Sequence, residues 1–271
     1  MYIRTPAVAG TFYEGTAERL TRQVDTCFAA NPEPARKERF LGAVVPHAGL
    51  MYSGSVAAAF YALADLPKRF VILCPNHTGA GHFAAINRQG AWRTPLGEVA
   101  IDTALADALM AKTPLLADDV RAHAREHSLE VQLPFLQRLL GSELTFVPIC
   151  LGAHRYDYAE EIGRAIAEVL QSENDVAILA SSDLNHYEDQ RETLRKDQLA
   201  IDQVLARDPR ELWRVVDEYD ISMCGFIPTT TMLLAVNALG ASDARLIRHA
   251  TSGDVNGDYS HVVGYASIIV R

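Results

Sequence analysis

The sequence predicts one α/β domain over residues 1–271, built on a mixed, mostly parallel sheet that is flanked by helices. Apolar runs alternate with stretches of helical periodicity, which is typical of strand–helix–strand units. The runs are continuous and rich in β-branched residues, as strands covered on both faces are. With 271 residues, 49% of them hydrophobic, the chain can bury a large core without disulfide support.

Six apolar runs predict the strands, and they lie at residues 40–45, 69–74, 143–151, 175–181, 244–250 and 261–270. Six periodic stretches predict helices at residues 53–65, 102–112, 126–140, 158–171, 192–206 and 229–239. Ser53 and Asp102 are expected to cap the first two helices. Pro95 and Gly97 predict the turn of a short hairpin inserted over residues 82–101, and residues 32–38 are expected to form a surface loop.

Composition excludes several classes of protein. The net charge is −9, and no cluster of Lys and Arg provides the basic face of a nucleic-acid-binding protein. No apolar run approaches the roughly 20 residues that span a bilayer, so we expect no membrane segment. The four cysteines are far apart and the start of the chain lacks a long apolar region, which favours a reduced protein in the cytoplasm.

Polar side chains that carry protons follow three of the predicted strands. His47 follows the first strand, His77 the second, and Asp183 and His186 follow the strand at 175–181. One such histidine is most often a surface residue with an ordinary hydrogen bond. Because ligands of open α/β sheets bind beyond the carboxyl ends of strands, three such ends predict a shared site if the strands are neighbours.

Cys224 lies just before the predicted helix at 229–239, in the segment MCGFIP. The positive end of a helix lowers the pKa of a thiol and favours the thiolate, which binds metals or attacks electrophiles. The alternative is a buried structural cysteine, and the sequence does not separate the two.

Three further residues are candidates to line the same pocket. Tyr52 and Ser53 directly follow the first strand end and its histidine. His127 lies at the start of a predicted helix, where it either lines the pocket together with Glu130 or takes part in helix capping and contacts solvent.

The chain resembles the Memo family, also called AmmeMemoRadiSam system protein B. The matching segments span residues 4–270 and read RTPAVAGTFY, VPHAGLMYSG, CPNHTG, EHSLEVQLPFL, SSDLNHY, MCGFIPTTTML and GYASIIV. That family is similar to the class III extradiol ring-cleavage dioxygenases of the LigB-like fold. The resemblance implies that His47 and His77 are metal ligands, that Cys224 replaces the carboxylate ligand, and that His186 is the acid or base, with Asp183 beside it.

The resemblance implies a non-haem, metal-dependent oxidoreductase with an unknown small-molecule substrate, and Fe(II) as its metal. A thiolate ligand also suits Cu(I) or Zn(II). The family name further implies a pathway shared with a radical-SAM protein and an AMMECR-type protein. Three alternatives stay open: an interaction scaffold that binds a peptide in the same crevice, a copper-handling redox protein, and a metal-free hydrolase with Cys224 as nucleophile and His186 as base.

Overall fold

The computed structural model describes residues 2–31 and 34–271, so Pro32 and Glu33 of the predicted loop lie outside the described residues. The strands are β1 (Ile3–Arg4), β2 (Gly42–Val45), β3 (Arg69–Pro75), β4 (Ala84–Ile86), β5 (Ala91–Thr94), β6 (Gly97–Ile101), β7 (Ala117–Asp118), β8 (Thr145–Leu151), β9 (Val176–Ser181), β10 (His186–Glu188), β11 (Ala244–Thr251) and β12 (Val262–Val270). The helices are α1 (Ala17–Ala29), α2 (Leu50–Leu63), α3 (Thr103–Lys112), α4 (Val120–His123), α5 (Leu133–Leu140), α6 (Tyr156–Leu170), α7 (Gln190–Ala206), α8 (Pro209–Glu218), α9 (Phe226–Ala238) and α10 (Gly253–Asn256).

A mixed sheet forms the centre of the α/β fold, as predicted. Its main path runs β1-β5-β6-β8-β3-β9-β2-β12-β10, with β11 on β12 and β4 on β8. The four central strands β8, β3, β9 and β2 are parallel. In the register of these strands, Leu73 lies beside Ala180 and Val45 lies beside Ser181. The carboxyl ends of β3, β9 and β2 therefore lie side by side at one edge.

Helices cover both faces of the sheet and separate the core into two layers. Helices α3, α6, α7, α8 and α9 pack on one face, and α1, α2 and α5 pack on the other. Strand β3 illustrates the division, because Val71 and Leu73 belong to the first layer while Phe70 and Ile72 belong to the second. Among the described residues, no helix is both long enough and apolar enough to cross a membrane.

All six predicted strands form, as does the hairpin, in which β5 and β6 pair antiparallel. Asp102 caps α3 as predicted, since its carboxylate accepts a hydrogen bond from the amide of Leu105 at 3.0 Å. The burial of β11 was predicted wrongly: this strand pairs with β12 on one side, and most of its residues are only half-buried.

The predicted start of α2 at Ser53 is wrong. The helix begins at Leu50, whose amide donates to the carbonyl of Phe12 at 2.7 Å. Backbone from the N-terminal segment thus replaces a capping side chain at this helix end. Ser53 lies inside the helix, where its hydroxyl donates to the carbonyl of Ala48 at 2.8 Å.

The helix predicted over 126–140 is shorter than expected. A 3-10 turn covers Glu130–Gln132, and α5 begins only at Leu133. Helices α1 and α8 were not predicted although both carry capping signals: Thr16 accepts from the amide of Arg19, and Asp208 precedes Pro209 at the first turn of α8.

A buried ion pair fastens the N-terminal segment to the segment that precedes α5. The Arg4 guanidinium bonds the Glu130 carboxylate, and both side chains are at most 2% exposed. Arg4 also donates to the carbonyls of His123 at 2.7 Å and Glu126 at 2.6 Å. Both ends of the turn between α4 and α5 are therefore held by one guanidinium.

The Glu130 carboxylate is satisfied almost entirely by the N-terminal segment. It accepts from the amides of Ala7 at 2.8 Å and Val8 at 3.1 Å and from the hydroxyl of Tyr13. Burial raises the pKa of Tyr13, and the charge of the adjacent carboxylate raises it further, so the phenol keeps its proton and remains a donor.

We expect Glu130→Gln to lower the free energy of unfolding by about 3 kcal/mol, because it leaves the Arg4 charge buried without its counter-ion. Urea unfolding measures this loss. Glu18→Gln is the control, since Glu18 pairs with Arg22 on the exposed face of α1 and exposed pairs contribute little. Equal losses in the two variants would contradict a special role for the buried pair.

Fully buried His123 makes stability depend on pH. Burial, with the nearby Arg4 charge, lowers its pKa to about 4, whereas an unfolded histidine titrates near ~6.5. Glu126 and Asp119 oppose this shift without reversing it. The unfolded chain therefore takes up the proton first as the pH falls, and the stability that is present above about pH 6.5 is lost toward pH 4.

We expect His123→Phe to remove roughly 3 kcal/mol from the change in unfolding free energy between neutral pH and pH 4. Urea unfolding at a series of pH values measures the slope for each protein. His261→Asn serves as the control because His261 is exposed, and it should keep the wild-type slope. An unchanged slope in His123→Phe would show that other groups carry the pH dependence.

Candidate functional site

The three adjacent strand ends carry the predicted site residues into one cavity. His47 follows β2, His77 follows β3, and Asp183 and His186 follow β9. The cavity has a volume of about 540 Å³, and Cys224 reaches it from the turn before α9. Residues 47 to 224, far apart in the chain, thus meet because the strand order is β3-β9-β2.

One ligand atom from each of His47, His77 and Cys224 lies within 4.8 Å of the others. The sulfur of Cys224 is 3.3 Å from Nε2 of His47, and the rings of His47 and His77 are 5.4 Å apart between centroids. Zinc, for example, bonds nitrogen at about 2.0 Å and sulfur at about 2.3 Å. Spacings of this order therefore suit three ligands of one ion.

The hydrogen bonds of Ser181 determine where the His47 ring carries its proton. The single hydroxyl proton of Ser181 goes to the carbonyl of Ser128 at 2.7 Å, and the oxygen accepts from Gln132 Nε2 at 2.8 Å. It can only accept from the ring as well, so Nδ1 of His47, 3.0 Å away, carries the proton. Nε2 of His47 therefore carries no proton, and its lone pair is free beside the sulfur of Cys224.

His77 is held in the same tautomer by a buried carboxylate. Its Nδ1–H donates to Glu126 at 2.8 Å, and its backbone amide donates to the other carboxylate oxygen at 2.7 Å. Ser128 adds donors from its amide and hydroxyl. Burial alone would raise the pKa of Glu126, but the hydrogen bond and charge of His77 and the Ser128 donors lower it to about 2. Glu126 is therefore an anion at neutral pH, and it orients His77.

His77, Glu126 and His127 form a second group of ligand-type atoms within 4.8 Å. Glu126 is fully buried and already accepts from His77, so we interpret it as the partner that orients a ligand. His127 stacks on His77, with ring centroids 4.7 Å apart and an interplanar angle of 22°.

His186 has a backbone acceptor for its Nδ1–H, the carbonyl of Ser222 at 2.9 Å. A carbonyl cannot donate, so Nε2 is the basic nitrogen of this ring as well. His47, His77 and His186 thus share one tautomer, each fixed by a different partner.

Asp183 anchors the backbone after β2. Its Oδ1 accepts from the amides of His47 at 2.7 Å and Ala48 at 3.3 Å, while Oδ2 lies 4.0 Å from Nε2 of His47. Burial raises the pKa of Asp183 to about 6, although the charge of His186 and the two amides lower it in part. The resemblance places Asp183 beside His186, but the hydrogen bonds of its carboxylate go to the backbone amides of His47 and Ala48.

Cys224 is half-buried, and its thiol lies 3.7 Å from the carbonyl of Asp183. The expected lowering of the thiol pKa is wrong: burial raises the pKa of Cys224, and the charge of Asp183 raises it further. Gly225 permits the close approach of this turn to the end of β9, because a Cβ at residue 225 would lie 2.4 Å from the carbonyl oxygen of Ser181. A bound cation would reverse the preference and favour the thiolate.

Of the three residues expected to line the pocket, the structure places His127 in the cavity wall. The wall also includes residues that the sequence did not single out: Phe12, Ala48, Gly49, Tyr187, Ser222 and Val263. Tyr52 and Ser53 are not among the lining residues, because both lie on α2 and the hydroxyl of Ser53 is buried against the backbone of Ala48. Glu130 is engaged by Arg4 instead.

Phe12 is the clearest residue that the sequence did not identify. Its ring lies 4.7 Å from that of His127, and its carbonyl accepts from the first amide of α2. The only signal was its place in RTPAVAGTFY, one of the segments that carry the family resemblance. No periodicity or spacing links residue 12 to the strand ends.

We expect Ser181→Ala to shift the neutral His47 ring toward the Nε2–H tautomer, because Nδ1–H loses its acceptor. Side-chain ¹⁵N NMR distinguishes the two tautomers. The variant should also lose about 1–3 kcal/mol of stability, since Gln132 and Ser128 lose their partner.

Ser267→Ala is the matched control, because Ser267 is fully buried and its hydroxyl donates to the carbonyl of Val56 at 2.6 Å, outside the cavity lining. It should cost similar stability and leave the His47 ring unchanged. If His47 keeps its tautomer in Ser181→Ala, the hydroxyl does not control the ring.

Comparisons with known proteins agree with the motifs. A family model described as Memo-like protein matches residues 4–269. MEMO1 family proteins from Methanopyrus kandleri and Sulfolobus acidocaldarius are 44% and 45% identical to the chain, over 99% and 98% of both chains, respectively. A MEMO1 family protein from Thermotoga neapolitana is 42% identical over 99% of both chains.

A crystal structure of an uncharacterized protein from Escherichia coli K12 has a similar fold. Its TM-score is 0.58 at 12% identity, and the match covers 85% of this chain and all of the other. At that identity the likeness concerns the fold alone. The family match and the full-length relatives carry the stronger conclusion: this chain belongs to the Memo family.

Proposed function

We propose that the protein binds one transition-metal ion through His47, His77 and Cys224 and acts as a non-haem, metal-dependent oxidoreductase with a small-molecule substrate. One observation carries the proposal. Both imidazoles give their Nδ1–H to the protein, which leaves each Nε2 with a free lone pair, and one ligand atom of each ring lies within 4.8 Å of the Cys224 sulfur. A metal-bound histidine binds the ion through a ring nitrogen that carries no proton. Its other ring nitrogen is usually held by an outer hydrogen-bond partner.

The donor set fits a metal better than it fits a purely structural cluster. A buried Glu126 that binds the far nitrogen of a ligand is the usual outer support of a metal-binding histidine. The Cys224 thiol lies 3.3 Å from Nε2 of His47 and 3.7 Å from the carbonyl of Asp183. A cation would replace that thiol proton and satisfy the sulfur and both nitrogens together.

An ion held here would supply Lewis-acid or electron-transfer chemistry. Family resemblance favours Fe(II), and the thiolate also suits Cu(I) or Zn(II). His186 would move a proton, since its Nε2 is basic and the ring lines the cavity. Phe12, Tyr187 and Val263 would enclose the apolar part of a substrate. The family name extends the proposal to a pathway shared with a radical-SAM and an AMMECR-type protein.

The metal-free hydrolase has less support. That hypothesis needs His186 beside the sulfur as the general base, but the imidazole nitrogen at 3.3 Å from Cys224 belongs to His47. The interaction scaffold uses the same cavity and makes no demand on the tautomers. Metal binding therefore separates the leading proposal from these two alternatives. The third alternative, a copper-handling redox protein, instead expects Cu⁺ to bind far more tightly than Fe²⁺.

Anaerobic titration with Fe²⁺, Zn²⁺ and Cu⁺, followed by metal analysis, tests the proposal. We expect wild-type protein to bind at least one of these ions with Kd below about 1 μM. His47→Ala, His77→Ala and Cys224→Ser should each weaken binding by more than the roughly 10- to 100-fold that loss of an outer partner costs. Failure of the wild type to bind any of the three ions would overturn the proposal.

Two variants control for the removal of a histidine or a cysteine as such. His261→Ala changes an exposed histidine, and Cys27→Ala changes a buried cysteine in the layer beneath α2. Both should retain wild-type affinity. Iodoacetamide gives an independent reading: bound Zn²⁺ should protect Cys224 from alkylation, whereas the hydrolase hypothesis expects no effect of metal.

A further inference from the structure

Asn185 lies between the Asp183 anchor and His186, is fully buried, and has no role in the proposed metal site. Each of its polar groups has a partner. The backbone amide donates to Asp197 at 2.9 Å, and the backbone carbonyl accepts from Gly264 at 2.9 Å. The side-chain amide group donates to Glu188 at 2.6 Å. These three hydrogen bonds fix Asn185 to α7, β12 and β10, and they leave its side-chain oxygen, Oδ1, available for other donors.

That remaining oxygen, Oδ1, holds the turn that leads to Cys224. It accepts from both the amide and the hydroxyl of Ser222, each at 3.1 Å. Ser222 in turn accepts two hydrogen bonds from His186. Its hydroxyl accepts from the backbone amide at 2.7 Å, and its carbonyl accepts from Nδ1–H at 2.9 Å. Oδ1 of Asn185 thus fixes the backbone group that determines the His186 tautomer.

The same turn carries the sulfur. Cys224 is two residues beyond Ser222, and Gly225 is fastened separately, since its amide donates to the hydroxyl of Ser182 at 3.0 Å. The turn at 222–225 therefore has two attachments to the end of β9, one before the cysteine and one after it. Loss of the attachment from Asn185 to Ser222 would free the Ser222 carbonyl that holds His186. It would also free the backbone that precedes Cys224.

We propose that Asn185 is a positioning residue that sets the His186 tautomer and the place of Cys224 together, through its hold on Ser222. The metal-affinity part of this inference rests on the proposed function, whereas the tautomer part does not. An amide suits the position because one end accepts two donors from Ser222 while the other end donates to the Glu188 carboxylate. Neither a carboxylate nor an alkyl group does both.

This chemistry gives a graded pair of variants. Asn185→Asp keeps an acceptor for Ser222 and loses the donor to Glu188, while Asn185→Leu has similar volume and loses both. Thr193→Val is the matched control: Thr193 is fully buried and contacts only the donor end of Asn185, at 3.5 Å. Destabilisation alone should affect all three, but loss of the hold on Ser222 should affect only Asn185→Leu.

The first readout needs no metal. Side-chain ¹⁵N NMR should find neutral His186 as the Nδ1–H tautomer in the wild type, Thr193→Val and Asn185→Asp. In Asn185→Leu we expect the Nε2–H tautomer to become populated. The second readout is Co²⁺ binding, followed by the near-ultraviolet sulfur-to-cobalt charge-transfer band. Asn185→Leu should raise the Kd for Co²⁺ about tenfold and shift that band, as loss of an outer partner does.

Ser222→Ala covers the case in which Asn185→Leu does not fold. Ser222 is exposed, and the change removes its hydroxyl while keeping the carbonyl, so a smaller shift of both readouts in the same direction is expected. The inference is overturned if His186 keeps the Nδ1–H tautomer in Asn185→Leu and in Ser222→Ala, or if Thr193→Val changes it equally. A wild type that binds no metal but follows these tautomer expectations would overturn the proposed function and leave Asn185 as the residue that positions His186.

Discussion

Burial of polar groups at the rim of the sheet is the constraint on which the site depends. Ser181, Glu126 and Asn185 are buried away from solvent, so each must find its hydrogen-bond partners within the protein. Ser181 finds one in His47 and Glu126 finds one in His77, while Asn185 reaches His186 through Ser222. The same requirement that stabilises the fold therefore fixes the proton on each imidazole, and with it the nitrogen that is left for chemistry.

The N-terminal segment is part of this arrangement although it lies far from the strand ends in sequence. Arg4 binds the carbonyl of Glu126, whose side chain orients His77, and it neutralises Glu130 in the same turn. Phe12, further along the segment, reaches the ring of His127. Stability and site geometry are thus coupled. The buried ion pair between Arg4 and Glu130 holds the N-terminal segment in place, and Arg4 also binds the backbone of Glu126, which orients His77.

Sequence patterns identified much of the architecture for reasons that are local. A strand covered on both faces needs a continuous apolar run, so the four central strands were recognisable, and Asp102 marked a helix start with its own side chain. The start of α2 is capped by the carbonyl of Phe12, which is distant in the chain. The local pattern at Ser53 therefore predicted the wrong start for this helix. Residues 126–140 have an apolar helical pattern, but Glu126 and Glu130 are buried before the helix, and α5 begins only at Leu133.

By itself, the sequence determined the fold class, the family, and the strand-end residues His47, His77, Asp183 and His186, because these depend on patterns of a few neighbouring residues. Only the tertiary structure decided that β3, β9 and β2 are adjacent, that Cys224 faces His47, and which ring nitrogen carries each proton. Strand order and hydrogen-bond partners depend on groups that are distant in the chain. No local pattern records which of them will meet once the core is packed.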